Sequence, residues 1–229
     1  MPASVKTAQN VLAALGGIRP TAILRTRAVA SLSPTPVVWV AGELAKPATA
    51  AATVDITVLG GGASASGSVA IAAGARGFVL PVPLTGAPSE SIDVRIRMSG
   101  TGGEPGTSDL LRIDAAAGLP HPMLYRRGPS TGNRLEPVGD PVYLRSERLR
   151  AELAASTEMR LTEGRILDRN GNVIELPVTL GERSDPSGQR WLTADVTLAA
   201  LGAGDYILEL SGVDGGASHK VLTALRVSR

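Results

Sequence analysis

The chain of 229 residues has no cysteine, a single phenylalanine, two tryptophans, three tyrosines and two histidines. Without cysteine there is no disulfide framework, no thiolate zinc site and no cysteine nucleophile. The scarcity of histidine leaves any Ser-His-Asp arrangement dependent on His121 or His219. His121 stands between Pro120 and Pro122, and His219 precedes Lys220; both positions read as surface. Long apolar runs are missing as well. The N-terminal Val11-Leu12-Ala13-Ala14-Leu15 is cut by Gly16-Gly17 and then Arg19, too short to span a membrane and a poor secretory signal. Nor is there a surplus of one charge: 23 Lys plus Arg face 21 Asp plus Glu, a formal +2. No clustered basic stripe with interleaved aromatics occurs, so a nucleic-acid partner is not expected.

What the chain does have is small aliphatic residues. Apolar types make up 43%, and the 27 glycines and 16 prolines fall at turn spacing without a collagen period. A core of Ala, Val, Leu and Ile gains little per side chain, so many strands must share it. Residues 4–15 predict a short helix closed by Gly16-Gly17 and Pro20. Period-two segments then predict strands over 23–32, 36–44, 53–59, 68–72, 78–84, 92–98 and 110–114, seven in all, as in a small sandwich. The clearest alternation sets Ile92, Val94, Ile96 and Met98 inward, against Asp93, Arg95 and Arg97. Residues 118–122 read as a proline-stiffened linker. A second series covers 123–127, 141–144, an inward row of Leu149, Ala151 and Leu153, then 164–178 folded at Arg169-Asn170-Gly171-Asn172, followed by 191–198, 206–210 and 221–227.

These patterns predict an all-β protein of two tandem immunoglobulin-like or fibronectin III-like β-sandwiches with a short N-terminal helix. The expected division is 1–20 for the helix and linker, 21–117 for the first sandwich, 118–122 for the linker and 123–229 for the second sandwich. The stretch Leu201-Gly202-Ala203-Gly204-Asp205-Tyr206-Ile207-Leu208 marks the second one. A tyrosine at that corner of such a sandwich buries its ring and donates its hydroxyl back across the turn.

Features that could carry chemistry have plainer explanations. Asp168, Asn170 and Asn172 alternate like calcium ligands, with Glu175 further on, but the glycine is misplaced and the loop is short, so a turn is expected. Gly60-Gly61-Gly62 and Gly100-Thr101-Gly102-Gly103 lack the Lys-Ser/Thr pair of a phosphate loop and read as flexible strand connections. Glu147 with Glu152, and Asp195 with Glu209, are expected on solvated strand faces. Trp39, in Val37-Val38-Trp39-Val40, is expected in the core. Trp191 shares an outward row with Thr193, Asp195 and Thr197. It would either cover a domain junction or stack on a sugar, with Asp195 supplying hydrogen bonds. Trp191 and Asp195 are therefore the candidate ligand-binding residues; no catalytic residue, metal ligand or cofactor is expected.

Leu124-Tyr125-Arg126-Arg127-Gly128-Pro129, Ser146-Glu147-Arg148-Leu149-Arg150, Gly164-Arg165-Ile166-Leu167-Asp168-Arg169-Asn170-Gly171, residues 201–210 and Ala224-Leu225-Arg226-Val227 carry a resemblance over residues 119–229. This region resembles the C-terminal part of bacterial secreted proteins with a von Willebrand factor A-related domain. The resemblance implies accessory sandwiches of an exported protein and an extracellular or cell-envelope location. The Asp-x-Ser-x-Ser loop of the A domain's metal site is missing, so that site transfers to no residue here. The expected function is a non-enzymatic spacer or protein-binding region without a membrane span; the alternative is a carbohydrate-binding module using Trp191.

Overall fold

The computed structural model describes residues 3–19, 21–31, 35–86, 88, 91–99, 106–114 and 119–229. The chain is all-β apart from one short N-terminal helix, and it divides into two compact units. Residues 19–116 with 137–140 form one, and residues 1–18, 117–136 and 141–229 the other. The glycine run at 100–103, Leu32 and the start of the expected linker at Gly118 lie outside the described residues.

The first unit holds β1 (Leu24–Ser31), β2 (Val37–Leu44), β3 (Ala52–Gly60), β4 (Ala63–Ile71), β5 (Gly77–Pro83), β6 (Ile92–Met98) and β7 (Thr107–Ile113). They form a three-stranded sheet, β1-β2-β5, and a four-stranded sheet, β4-β3-β6-β7, with antiparallel pairing throughout. Three strands facing four across a shared core make this unit a β-sandwich. Val38 and Val40 from one sheet meet Val54, Ile56, Val58, Val94 and Ile96 from the other. Each such side chain contributes about 1.5–3 kcal/mol on burial. Phe78 fills the gap the aliphatics leave, its ring lying on Gly42, its register partner in β2. A Cβ on Gly42 would stand 2.1 Å from that ring, which explains a glycine inside a strand.

Two local expectations change here. The triplet Gly60-Gly61-Gly62 is a tight hairpin rather than a flexible connection. Gly60 pairs with Ala63 across a two-residue turn whose Gly61 and Gly62 have φ of 60° and 80°, as a type I′ turn demands. Consequently β4 starts at Ala63, well before residue 68. Trp39 is buried, 8% exposed, but on the face of β2 opposite Val38 and Val40, not between the sheets. Residues 137–140 complete this unit. The Gly139 N–H donates to Glu43 Oε2 at 3.2 Å, and Asp140 Oδ2 lies 3.5 Å from Arg25 Nε. Burial raises the Asp140 carboxyl above the usual range against the pull of Arg25.

The second unit holds β8 (Met123–Arg127), β9 (Glu136–Pro137, of which only Glu136 belongs to it), β10 (Val142–Leu144), β11 (Arg148–Ala155), β12 (Arg160–Leu167), β13 (Val173–Ile174), β14 (Val178–Ser184), β15 (Arg190–Thr197), β16 (Gly204–Asp214) and β17 (Ala217–Ser228). Its sheets run β14-β15-β11-β8-β9 and β10-β17-β16-β12-β13, with β10 parallel to β17. Leu149, Ala151 and Leu153 face inward as the alternation predicts, opposite Val196, Ala194 and Leu192. Gly164 sits where a Cβ would come within 2.5 Å of Val178, so this glycine sets how closely the two sheets approach. β14 is absent from the sequence-based strand set, because Gly181-Glu182-Arg183-Ser184 carries too few apolar residues to register as a strand.

The corner before β16 forms with the expected hydroxyl bond, but the Tyr206 ring is half-buried rather than buried. Leu198–Ala200 make one 3-10 turn, Leu198 and Leu201 are buried, and the Tyr206 hydroxyl donates to the Gly202 carbonyl at 3.0 Å. Helix α1 (Ala3–Leu12) gives way to a 3-10 turn, Ala13–Gly17, and packs against β16 and β17. Its Ala8, Val11 and Leu12 cover Ile207, Leu167 and Leu222 on the outer face of that sheet. Among the described residues no helix is long and apolar enough to cross a membrane.

Candidate functional site: an arginine-lined groove on the second sandwich

The outer face of the β14-β15-β11-β8 sheet gathers both sequence-predicted ligand residues. Along β15 it presents Trp191, Thr193, Asp195 and Thr197. Register sets Ala154, Glu152, Arg150 and Arg148 opposite them on β11, and Arg183, Gly181 and Thr179 on β14. On β8, Tyr125 and Arg127 lie opposite Arg150 and Arg148. Eight of these side chains are ionisable or aromatic, and they divide into a closed end and an open end.

At the closed end Trp191 is 2% exposed. Its Nε1 donates to Asp185 Oδ2 at 3.1 Å, and the Arg183 guanidinium lies 5.4 Å from its ring centre. The ring therefore offers no open face for a sugar. Arg183 also grips Glu152, Nε to Oε1 at 2.9 Å and Nη2 to Oε2 at 2.5 Å, while Arg150 Nη1 approaches Glu152 Oε1 to 3.9 Å. The Glu152 side chain is 0% exposed. Burial, followed by the Glu152 carboxylate, pushes the Tyr125 phenol well above its usual range, with Arg183 opposing. Burial also raises the Asp185 carboxyl, but hydrogen bonds from Ser187, Trp191 and Gln189 outweigh it and hold the group below the usual range.

Carboxylates expected in solvent are thus buried. Glu147 accepts the Leu144 N–H at 2.8 Å and the Ser130 hydroxyl, with Arg126 at 4.0 Å. Glu209 is held by Lys220 at 2.9 Å and Arg165 at 3.9 Å. Alternation placed Glu152 and Glu209 on outward rows correctly, with arginine or lysine stems beside them, whereas Glu147 lies in the bend before β11. Asp195 alone of the four stays half-exposed, in a two-pronged pair with Arg150 (Nε to Oδ1 and Nη2 to Oδ2, both 2.8 Å), which raises the Arg150 guanidinium's pKa.

Beyond Asp195 the face opens into a groove of about 480 Å³. Arg127, Arg148 and Arg150 line it with Asp195; Thr179 and Thr197 add hydroxyls, and Leu135, Leu176 and Pro177 form an apolar rim. Arg127 is steered by its Nε, which donates to the Asn133 carbonyl at 2.8 Å. That carbonyl is presented by two successive left-handed residues, Gly132 at φ 58° and Asn133 at φ 61°, the latter the only such non-glycine among the described residues. Three arginines against one carboxylate leave the groove positive.

Other candidates resolve into structure. Asp168 Oδ1 accepts the N–H groups of Asn170 and Asn172, both at 2.8 Å, and its Oδ2 accepts Asn172 Nδ2 at 3.0 Å, with Gly171 at φ 81°. These bonds outweigh its slight burial and lower its pKa, and they make the segment a side-chain-braced hairpin turn. Among the described residues no cluster of three or more His, Asp or Glu side chains is placed to hold a metal. His121 is exposed, and His219 lies in β17 opposite Gly212. Sequence reading passed over Arg127 and Arg148; its available signal was Arg148-x-Arg150 on an outward row, which single-strand alternation cannot pair with Arg127.

No protein-family model matches the chain, and no curated protein matches it.

Proposed function

We propose that this chain is a non-enzymatic interaction and spacer region of an exported or envelope-associated bacterial protein, with a protein as its partner. The observation that carries the reading is the placement of the groups chemistry would need. Glu147, Glu152 and Glu209 are buried and committed to arginine, lysine or backbone partners, and the histidines lie on separate elements. The positive groove, by contrast, is solvent-facing and built on rigid strands, as a recognition surface requires. The location rests on the resemblance of residues 119–229. A glycan-stacking role draws no support from Trp191, whose ring is covered.

Hydrogen exchange on the chain mixed with envelope fractions should show new protection confined to one sheet face or edge. Generic ester, glycoside and peptide substrates should remain intact. Turnover that disappears in His121→Ala or His219→Ala would replace this reading with an enzymatic one.

A further inference from the structure

Arginines on the β14-β15-β11-β8 sheet come with their own carboxylates: Arg150 with Asp195, Arg183 with Glu152, Arg190 with Glu182 and Arg126 with Glu147. Arg127 and Arg148 break the rule. They are direct register partners on β8 and β11, both exposed, and among the described residues neither has a carboxylate within 4.0 Å. Like charges directly opposite one another on antiparallel strands destabilise the pair. Folding alone therefore gives no reason to set them there, and local rules broken without compensation mark functional surface. The strained Asn133 carbonyl that orients Arg127 adds to the cost and serves the same geometry.

We infer that this groove binds an acidic peptide segment of a partner protein, a Glu or Asp carboxylate bridging Arg127 and Arg148 while a neighbouring aliphatic side chain rests on Leu176 and Pro177. The inference rests on the interaction reading above. Guanidinium forks match carboxylates in shape as well as charge, and opposed residues on one sheet face bring two forks to a single anion. Leu135, Leu176 and Pro177 at the rim suit aliphatic side chains. Among the described residues no aromatic ring lines the groove, and so they offer no platform on which sugars or nucleic-acid bases stack.

The test is fluorescence anisotropy of the full chain with a labelled octapeptide alternating Glu with Leu and Pro, beside its Gln counterpart. The acidic probe should bind saturably at low salt, and Arg148→Gln or Arg127→Gln should weaken it about tenfold or more. Arg95→Gln, on the first sandwich, should leave binding unchanged, and the Gln probe should not bind. Arg148→Gln should keep or slightly raise the melting temperature, because it relieves a repulsion. Absence of saturable binding, equal binding by Arg148→Gln, or a fall in its melting temperature overturns the inference. So does preference for a uronic-acid oligosaccharide or single-stranded DNA over the peptide. Flat anisotropy without turnover of generic substrates removes this inference alone; histidine-dependent turnover removes the interaction reading beneath it.

Discussion

Replacing Arg183 by methionine should cost the second sandwich far more than neutralising its partner Glu152. The asymmetry comes from exposure: the Glu152 side chain is 0% exposed, while Arg183 retains 37%. Arg183→Met keeps the stem but strands a buried carboxylate, whose remaining cation is Arg150 at 3.9 Å. Breaking a buried pair in this direction costs about 3–5 kcal/mol, and loss of the guanidinium over Trp191 adds about 0.5–2 kcal/mol. Glu152→Gln leaves an amide that still accepts a hydrogen bond, and Arg183 can turn its head to water, so about 1–2 kcal/mol is expected. Removing both charges in Arg183→Met/Glu152→Met should recover most of the loss, because well-packed apolar pairs replace buried ion pairs at little cost. The measurement is urea unfolding followed by tryptophan emission in a Trp39→Phe background, where Trp191 alone reports. With slopes of about 1–3 kcal/mol/M, Arg183→Met should lower the midpoint by roughly 2 M. An Arg183→Met variant no less stable than Glu152→Gln, or a double variant as unstable as Arg183→Met, would refute the reasoning.

Three further outcomes are expected. Gly42→Ala should destabilise the first sandwich by about 1–3 kcal/mol in thermal unfolding, and Phe78→Leu in the same chain should restore part of it, since the clash is with that ring. Tyr206→Phe should cost the second sandwich about 0.5–1.5 kcal/mol by calorimetry, the hydroxyl's bond to Gly202 being the only group removed. Asp185, whose carboxyl is held below the usual range, contributes stability that is present above its unfolded pKa and lost as pH falls through its folded one. Asp185→Asn should therefore lower stability at neutral pH and flatten its decline in an acid titration followed by circular dichroism, with the two curves meeting at the acid end.

Strand alternation made much of this protein legible. Residues 92–98 and 123–127 are strands with the same bounds in sequence and structure, the first because apolar and polar residues alternate cleanly, the second because Pro122 and Gly128 bracket a short run of Met, Leu and Tyr ending in two arginines. The Asn170-Gly171 turn and the Tyr206 corner are equally local: each depends on residues within five positions of one another. β14 escaped because only Val178 and Leu180 of it turn inward, and they meet Gly164 of the other sheet while Glu182 stays exposed beside Arg190. No local pattern reports that relation.

The groove illustrates the same boundary. Its residues come from β8, β11, β14, β15 and two connecting segments, and what distinguishes Arg127 and Arg148 is register, which sequence spacing leaves open across 21 positions. Likewise, alternation put Glu152 and Trp191 on an outward row and could go no further, because burial on a sheet's outer face depends on which long side chains lie across it. The primary structure by itself determined the class, most strands and the tyrosine corner, since these follow from side-chain period and backbone torsion. Only the tertiary structure decided which carboxylates are buried, where residues 137–140 belong and which two arginines stand opposed. Those are properties of pairs far apart in the chain, brought together by the sheets' pairing.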